Sequence, residues 1–278
     1  MGLCEGNRGN LMQHWTFAKV LNSLPKDNLE KLHLITTHSM APWAIPRKRE
    51  RERLCYGVFR AAGKRLINIE NPTSYETAWL SLTVDSGLPY PSTAAFVTRL
   101  WPAKQISVGL CEFDSKTADE IDGWSSSEEI ENHFIHSVLF RGDWRVSIQS
   151  PLIWNPAADF LYIELDPMRY SACPQNQRGK NNPANLYPED LELLLEQLKQ
   201  NKQKVILQIS SFSTQKNNMS LDTQRASIVD ILQPHGFIFN GETRVGLQMA
   251  SFLFTKNLNL NLNNIGDAFA TWLDGILH

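Results

Sequence analysis

The chain is poor in cysteine, has no sustained apolar run and carries almost no charge imbalance, and each lack removes a class of protein. Its 278 residues include four cysteines, Cys4, Cys55, Cys111 and Cys173, far apart in sequence with no C-x-x-C pair and no matching histidine spacing. That spacing argues against a zinc site or a disulfide framework and for a reducing, cytoplasmic setting; no metal is expected. No stretch approaches the ~20 apolar residues of a membrane span, and no apolar leader precedes the first polar residues. "MGLCEG" offers Gly2, but residue 6 is glycine where myristoylation wants serine or threonine. The formal net charge of −2 excludes a chain that is basic throughout, so any nucleic-acid contact must rest on a local patch. No internal repeat is evident.

What is present is ordinary globular material, 42% hydrophobic and 10% aromatic, enough for a sizeable core. Length alone allows one large α/β domain or two small ones. "NLMQHWTFAKVLNSL" (10–24) places Leu11, Trp15, Ala18, Val20 and Leu21 on one side of a helix, with Asn10 as a candidate N-cap. "KLHLITTHS" (31–39) reads as a buried strand ending in a polar corner. "YPSTAAFVTRLW" (90–101) opens a helix at Ser92. Further strands are expected at 105–113, 136–143, 159–167 and 204–212, with helices at 115–124, 187–202 and 221–236. "FIFNG" and "LQMASFLFTK" suggest a terminal strand pair, and "NLNLNLNN" (257–264) an edge strand or a linker.

Strands alternating with helices imply βαβ units, and strands apolar on both faces imply helices on both sides of a mainly parallel sheet. The expectation is a single doubly wound α/β domain over 1–278 with an inserted basic helical subregion at 45–88. Ligands in such sheets sit beyond the carboxyl ends of the strands, near the switch in strand order. His38, Glu112, Asp143 and Asp166 occupy those strand ends.

An acid after the second strand suits ribose hydroxyls, and one after the third suits an adenine amino group. Asp143 could equally cap a turn with Gly142. "YIELDPMRY" (162–170) resembles the D-P-P-Y corner of amino-group methyltransferases, where a carboxylate and a backbone carbonyl hold both hydrogens of a poorly nucleophilic amine. "PRKRERER" (46–53) could grip phosphates through Arg47, Lys48, Arg49, Arg51 and Arg53, or be a solvated helical face. "NQRGKNNP" (176–183) carries Arg178 and Lys180 and could form a substrate lip. Trp43 and Trp144 could stack on a ligand or pack in the core, and His14 is expected to pack.

Six pieces in order then carry a resemblance. "GNRGNLMQH" (6–14) is similar to G-N-x-x-D-x-x-K-H, and "LITTHSMAP" (34–42) to a stretch L-D-T-H-A-G-A-G. "YPSTAAF" (90–96) is similar to Y-P-G-S-P, "LCEFDS" (110–115) to L-T-E-L-H-P, "RGDW" (141–144) to A-D-G-F and "IELDPMRY" (163–170) to L-I-D-P-P-Y. Together the chain resembles the large-subunit ribosomal RNA adenine-N6 methyltransferases over roughly residues 6–255. The resemblance implies a Rossmann-like fold, S-adenosylmethionine as cofactor and a nucleic-acid substrate, RNA in preference to DNA. It implies that His38, Ser92, Thr93, Glu112 and Asp143 contact the cofactor. Asp166 and Pro167 would hold the target amine, with Tyr170 the stacking aromatic. The chain departs from the pattern at Asn10, Gln13 and Thr36, at Met40 and Pro42 in place of glycines, and at Met168 and Arg169. Those departures keep open a second reading, a non-catalytic nucleic-acid or protein-binding module on the same fold.

Overall fold

The computed structural model describes residues 8–25, 30–43, 70–86, 90–166, 169–170, 185–212, 219–262 and 264–277. Seven strands form one sheet. They are β1 (Leu32–Thr36), β2 (Ile106–Glu112), β3 (Phe134–Arg141), β4 (Phe160–Leu165), β5 (Lys204–Phe212), β6 (Ile238–Val245) and β7 (Met249–Lys256). Their order across the sheet is β3-β2-β1-β4-β5-β7-β6. The first five run parallel, and β7 is antiparallel to both β5 and β6. This is the doubly wound, mainly parallel Rossmann-like sheet with a terminal antiparallel pair that the sequence led us to expect. Chain order reverses between β1 and β4, which makes that junction the switch point.

The helices follow from patterning and caps. They are α1 (Arg8–Ser23), α2 (Ser74–Ser86), α3 (Thr93–Leu100), α4 (Ser115–Ser125), α5 (Glu128–Glu131), α6 (Trp144–Ser147), α7 (Pro188–Leu198), α8 (Leu221–Leu232) and α9 (Ile265–Leu277). Ser92 caps α3 by accepting from Ala95 N at 3.3 Å. Proline at its first position and two acids in its first turn favour the start of α7. After α8, Gly236 takes φ +82°, a left-handed conformation that glycine adopts without a Cβ penalty.

β1 and β4 are buried along their whole length, as strands covered on both faces must be. Leu34, Val108, Tyr162 and Ile206 meet α1, α2, α3 and α9 on one face. Ile35, Leu161, Ile163 and Leu207 meet α7 and α8 on the other.

One local expectation is corrected, one pair of alternatives is decided for the linker, and one helix is added. Helix α1 begins at Arg8, so Asn10 lies inside its first turn rather than at the cap, and its Nδ2 donates to Met40 Sδ at 3.3 Å. "NLNLNLNN" is no edge strand in its described residues: Leu260 and Leu262 are buried as the chain crosses to α9. Helix α9 itself was not anticipated, although Ile265, Phe269, Leu273 and Ile276 recur at helical spacing and are all buried. Of the segment 45–88, only residues 70–86 are described. There α2 packs Tyr75 and Trp79 into the main core. Among the described residues no helix is long and apolar enough to cross a membrane.

Candidate active site at the switch point

Register brings the strand ends together. Thr36 of β1 pairs with Leu110 of β2 and with Glu164 of β4. Glu112 and Asp166 each lie two residues further, so both reach the same rim, about two strand spacings (~10 Å) apart with β1 between them. The turn after β1 is stitched to both neighbours. Thr37 N donates to Glu164 O at 3.1 Å and Ser39 N to Cys111 O at 2.8 Å. Asp166 N in turn donates to Thr37 Oγ1 at 3.3 Å.

Here a small crevice opens, with water-accessible space of about 10 Å3. Gln13, His38, Met40, Ser92, Thr93, Glu164 and Asp166 are among the residues that line it. Four sequence-predicted residues, His38, Ser92, Thr93 and Asp166, therefore converge on one place. His38 is half-buried, and its Nδ1 shares a hydrogen bond with Thr37 Oγ1 at 3.2 Å.

Among the lining residues without a site role in the sequence reading, Gln13 and Glu164 matter most. Gln13 had been noted only as a departure, and Glu164 not at all. Glu164 is buried, and its Oε1 accepts from Gln13 Nε2 at 2.8 Å and Thr93 Oγ1 at 3.1 Å. The signal was available: an acid inside the apolar run "FLYIEL" must find donors in the fold, because an unpaired buried carboxyl is costly. Burial, and secondarily the nearby Asp166, push its carboxyl up to about 8. Burial likewise pushes Asp166 up to about 6, with Gln13 pulling the other way.

The polar seam continues beneath α1. Gln208 Nε2 donates to Gln13 O and to Ser251 Oγ, both at 2.9 Å, and Tyr162 OH donates to Gln208 Oε1. His14 packs, as expected. It stacks on Tyr90 with ring centres 5.2 Å apart, and burial lowers its imidazole to about 3, so it is neutral.

The remaining predicted residues lie elsewhere. Glu112 is half-buried on the rim beside the crevice, where its Oε1 accepts from Asp114 N at 2.8 Å. Asp143 caps α6 by accepting from Arg145 N at 3.0 Å, and it also pairs with the Arg145 guanidinium at 3.1 Å. Arg145 reaches on to Asp190 at 2.7 Å. Trp144 is buried with that guanidinium over its ring, so it packs rather than presenting a stacking face.

Tyr170 is corrected as the stacking aromatic. It is 1% exposed in the core on the α7–α8 side, with its hydroxyl sharing a hydrogen bond with Ser227 Oγ at 2.9 Å. A ring enclosed in that way has no open face for a base. Pro167, Arg47, Lys48, Arg49, Arg51, Arg53, Arg178 and Lys180 lie outside the described residues. Among the described residues no group of three or more His, Cys, Asp or Glu could hold a metal ion.

Sheet order and the position of the crevice define a Rossmann-like α/β fold. No family model matches the chain, and no curated protein does. Among solved structures, protein LPL1258 from Legionella pneumophila, of family-model DUF519, is similar with a TM-score of 0.55 at 13% identity, covering 98% of this chain and 92% of that one. A SAM-dependent methyltransferase from Aquifex aeolicus gives a TM-score of 0.39 at 11% identity, covering 89% of this chain and 92% of that one. The hMettl16 catalytic domain, solved in complex with the MAT2A 3'UTR hairpin 6, gives 0.41 at 10% identity, covering 89% of this chain and 71% of that one. At 13% identity the likeness to LPL1258 is one of fold alone.

Proposed function

We propose that the protein is an S-adenosylmethionine-dependent methyltransferase acting on a base amino group, adenine N6 of RNA foremost. The observation that carries this reading is the meeting of Asp166, His38 and Thr93 at the switch-point crevice, with Glu112 on the adjoining rim. The residues fit the cofactor in charge: Asp166 favours a cationic group, and Glu112 offers a carboxylate for ribose hydroxyls. When bound, S-adenosylmethionine supplies an electrophilic methyl on a sulfonium.

The chain's own residues do the rest. Asp166 accepts a hydrogen bond from the target amine and orients its lone pair, with the Pro167 carbonyl as second acceptor. Its pKa, pushed up to about 6, leaves it ionised at pH 7 and able to take the proton the amine sheds on methylation. Arg47, Lys48, Arg49, Arg51 and Arg53, with Arg178 and Lys180, are the proposed phosphate contacts. The test is radiolabelled methyl transfer to RNA transcripts by wild type and Asp166→Ala. We expect activity to fall by roughly 10²–10³-fold while cofactor still binds. Unchanged activity would remove Asp166 from the reaction.

One observation favours the second reading, a binding module without catalysis. Met40 stands in the crevice wall, tethered through its Sδ to Asn10, where a glycine would leave room for a ligand's approach. Calorimetry separates the two: no heat from a folded protein with millimolar S-adenosylmethionine, restored in Met40→Gly, supports the module.

A further inference from the structure

Glu164 is a buried acid for which the proposed transfer has no use. Both of its donors, Gln13 Nε2 and Thr93 Oγ1, go to Oε1, and among the described residues none goes to Oε2. The side chain is 2% exposed and lines the crevice, so Oε2 is an unmatched oxygen on the crevice side.

Among the described residues, and apart from the imidazole of His38, the groups around it supply no counter-charge. Asp166, at the end of its own strand, is a second acid. His14 of α1 is neutral, and Tyr90 before α3 and Tyr162 on β4 are phenols that burial keeps protonated. Gln208, its register partner on β5, is uncharged, as are Gln13 and Thr93. His38 on the turn after β1 shares its Nδ1 with Thr37. No lysine or arginine is among the crevice's described lining residues.

We propose that Glu164 selects ligands by charge: it carries its proton on Oε2 in the free protein and releases it to solvent when a cation settles in the crevice. The site would thereby favour a sulfonium over the neutral thioether left after methyl transfer. This rests on the cofactor reading above and adds to it the discrimination between reactant and product. The raised carboxyl, at about 8, agrees with a proton held at neutral pH. An opposite charge within ~4–6 Å lowers an acid's pKa by about 1–3 units, enough to ionise it at pH 7 in the complex.

Calorimetry on the full chain at pH 7 tests this, titrating S-adenosylmethionine and S-adenosylhomocysteine in phosphate and in Tris. Buffers of different ionisation enthalpy report the protons exchanged. The two ligands share their amine and carboxylate, so their difference isolates the sulfonium. We expect wild type to release about half a proton or more with the sulfonium and less with the thioether. In Glu164→Gln, which keeps the Oε1 acceptor, the proton difference should vanish. The preference for the sulfonium should shrink about tenfold or more.

Equal proton counts for the two ligands in wild type, or for the two proteins, would overturn the role of Glu164 and leave the cofactor reading standing. No heat with either ligand from folded wild type would reject the cofactor reading, and this proposal with it. Should Glu164→Gln not fold, the wild-type difference between the two ligands decides alone.

Discussion

The two faces of the sheet are built from different materials. On the α7–α8 side, Leu191, Leu194, Leu195, Leu198, Ile228 and Leu232 close over Leu161, Ile163, Val205 and Leu207, an aliphatic contact with isolated polar pairs beside it, Ser211 with Gln224 and Tyr170 with Ser227. On the α1 side, aromatic rings surround a run of buried polar groups from Ser251 through Gln208 and Gln13 to Glu164 and Thr93. Aliphatic packing needs only volume and shape, whereas each buried amide or carboxyl must find a partner or cost stability. The polar run ends at the crevice. The difference teaches that one face serves the fold alone, while the other gives up some hydrophobic uniformity to hold an acid pair at the rim.

Substitutions on each face can break that division. The largest effect is expected from Leu194→Ala, a fully buried leucine on the aliphatic face. Truncation should cost about 2–5 kcal/mol, read as a lowered urea midpoint with cofactor binding heat unchanged. A changed heat would mean that the two faces are coupled.

The acid pair predicts a smaller, pH-dependent effect. Glu164 titrates near 8 in the folded chain, above the ordinary glutamate value of 4.5. The folded state therefore holds its proton more tightly than the unfolded state, so this contribution to stability is complete below about pH 4.5 and lost as pH rises through 8. Between pH 7 and 8.5 wild type should lose roughly 1 kcal/mol that Glu164→Gln keeps. The buried His14 and His33, lowered to about 3 and about 4, act in the opposite sense and at lower pH. Denaturant titrations of both proteins across that window measure it, and parallel curves would place the proton elsewhere. The smallest change is expected from Ser92→Ala, which removes the α3 cap at the crevice's edge. It should cost about 1 kcal/mol by thermal denaturation.

Legibility followed the range of the interaction. Strand β4 announced itself as a continuous apolar run, and α7 by its proline, opening acids and leucine spacing, because those features act within a few residues. Helix α9 was as regular but followed a biased asparagine–leucine run that masked its start. At the site, Asp166, His38 and the cap Ser92 could be read from their places after strands or before a helix. Gln13 and Glu164 could not be paired, since 151 positions separate them and only the packing of α1 on β4 makes them partners. Asp143 shows the converse. Its position matched a ligand-binding acid, yet its near neighbour Arg145 engages it as a cap and an ion pair.

Residue order by itself determined the strands of the sheet and most of the longer helices, that the sheet is covered on both sides, and which polar groups stand at strand ends. Those properties depend on periodicity and on backbone preferences over a few positions. Tertiary structure alone decided that β1 lies between β2 and β4, that Asp166 joins a buried Glu164, and that Tyr170 turns into the opposite core. Adjacency of strands distant in sequence is settled by how whole surfaces pack, and no local pattern carries that information.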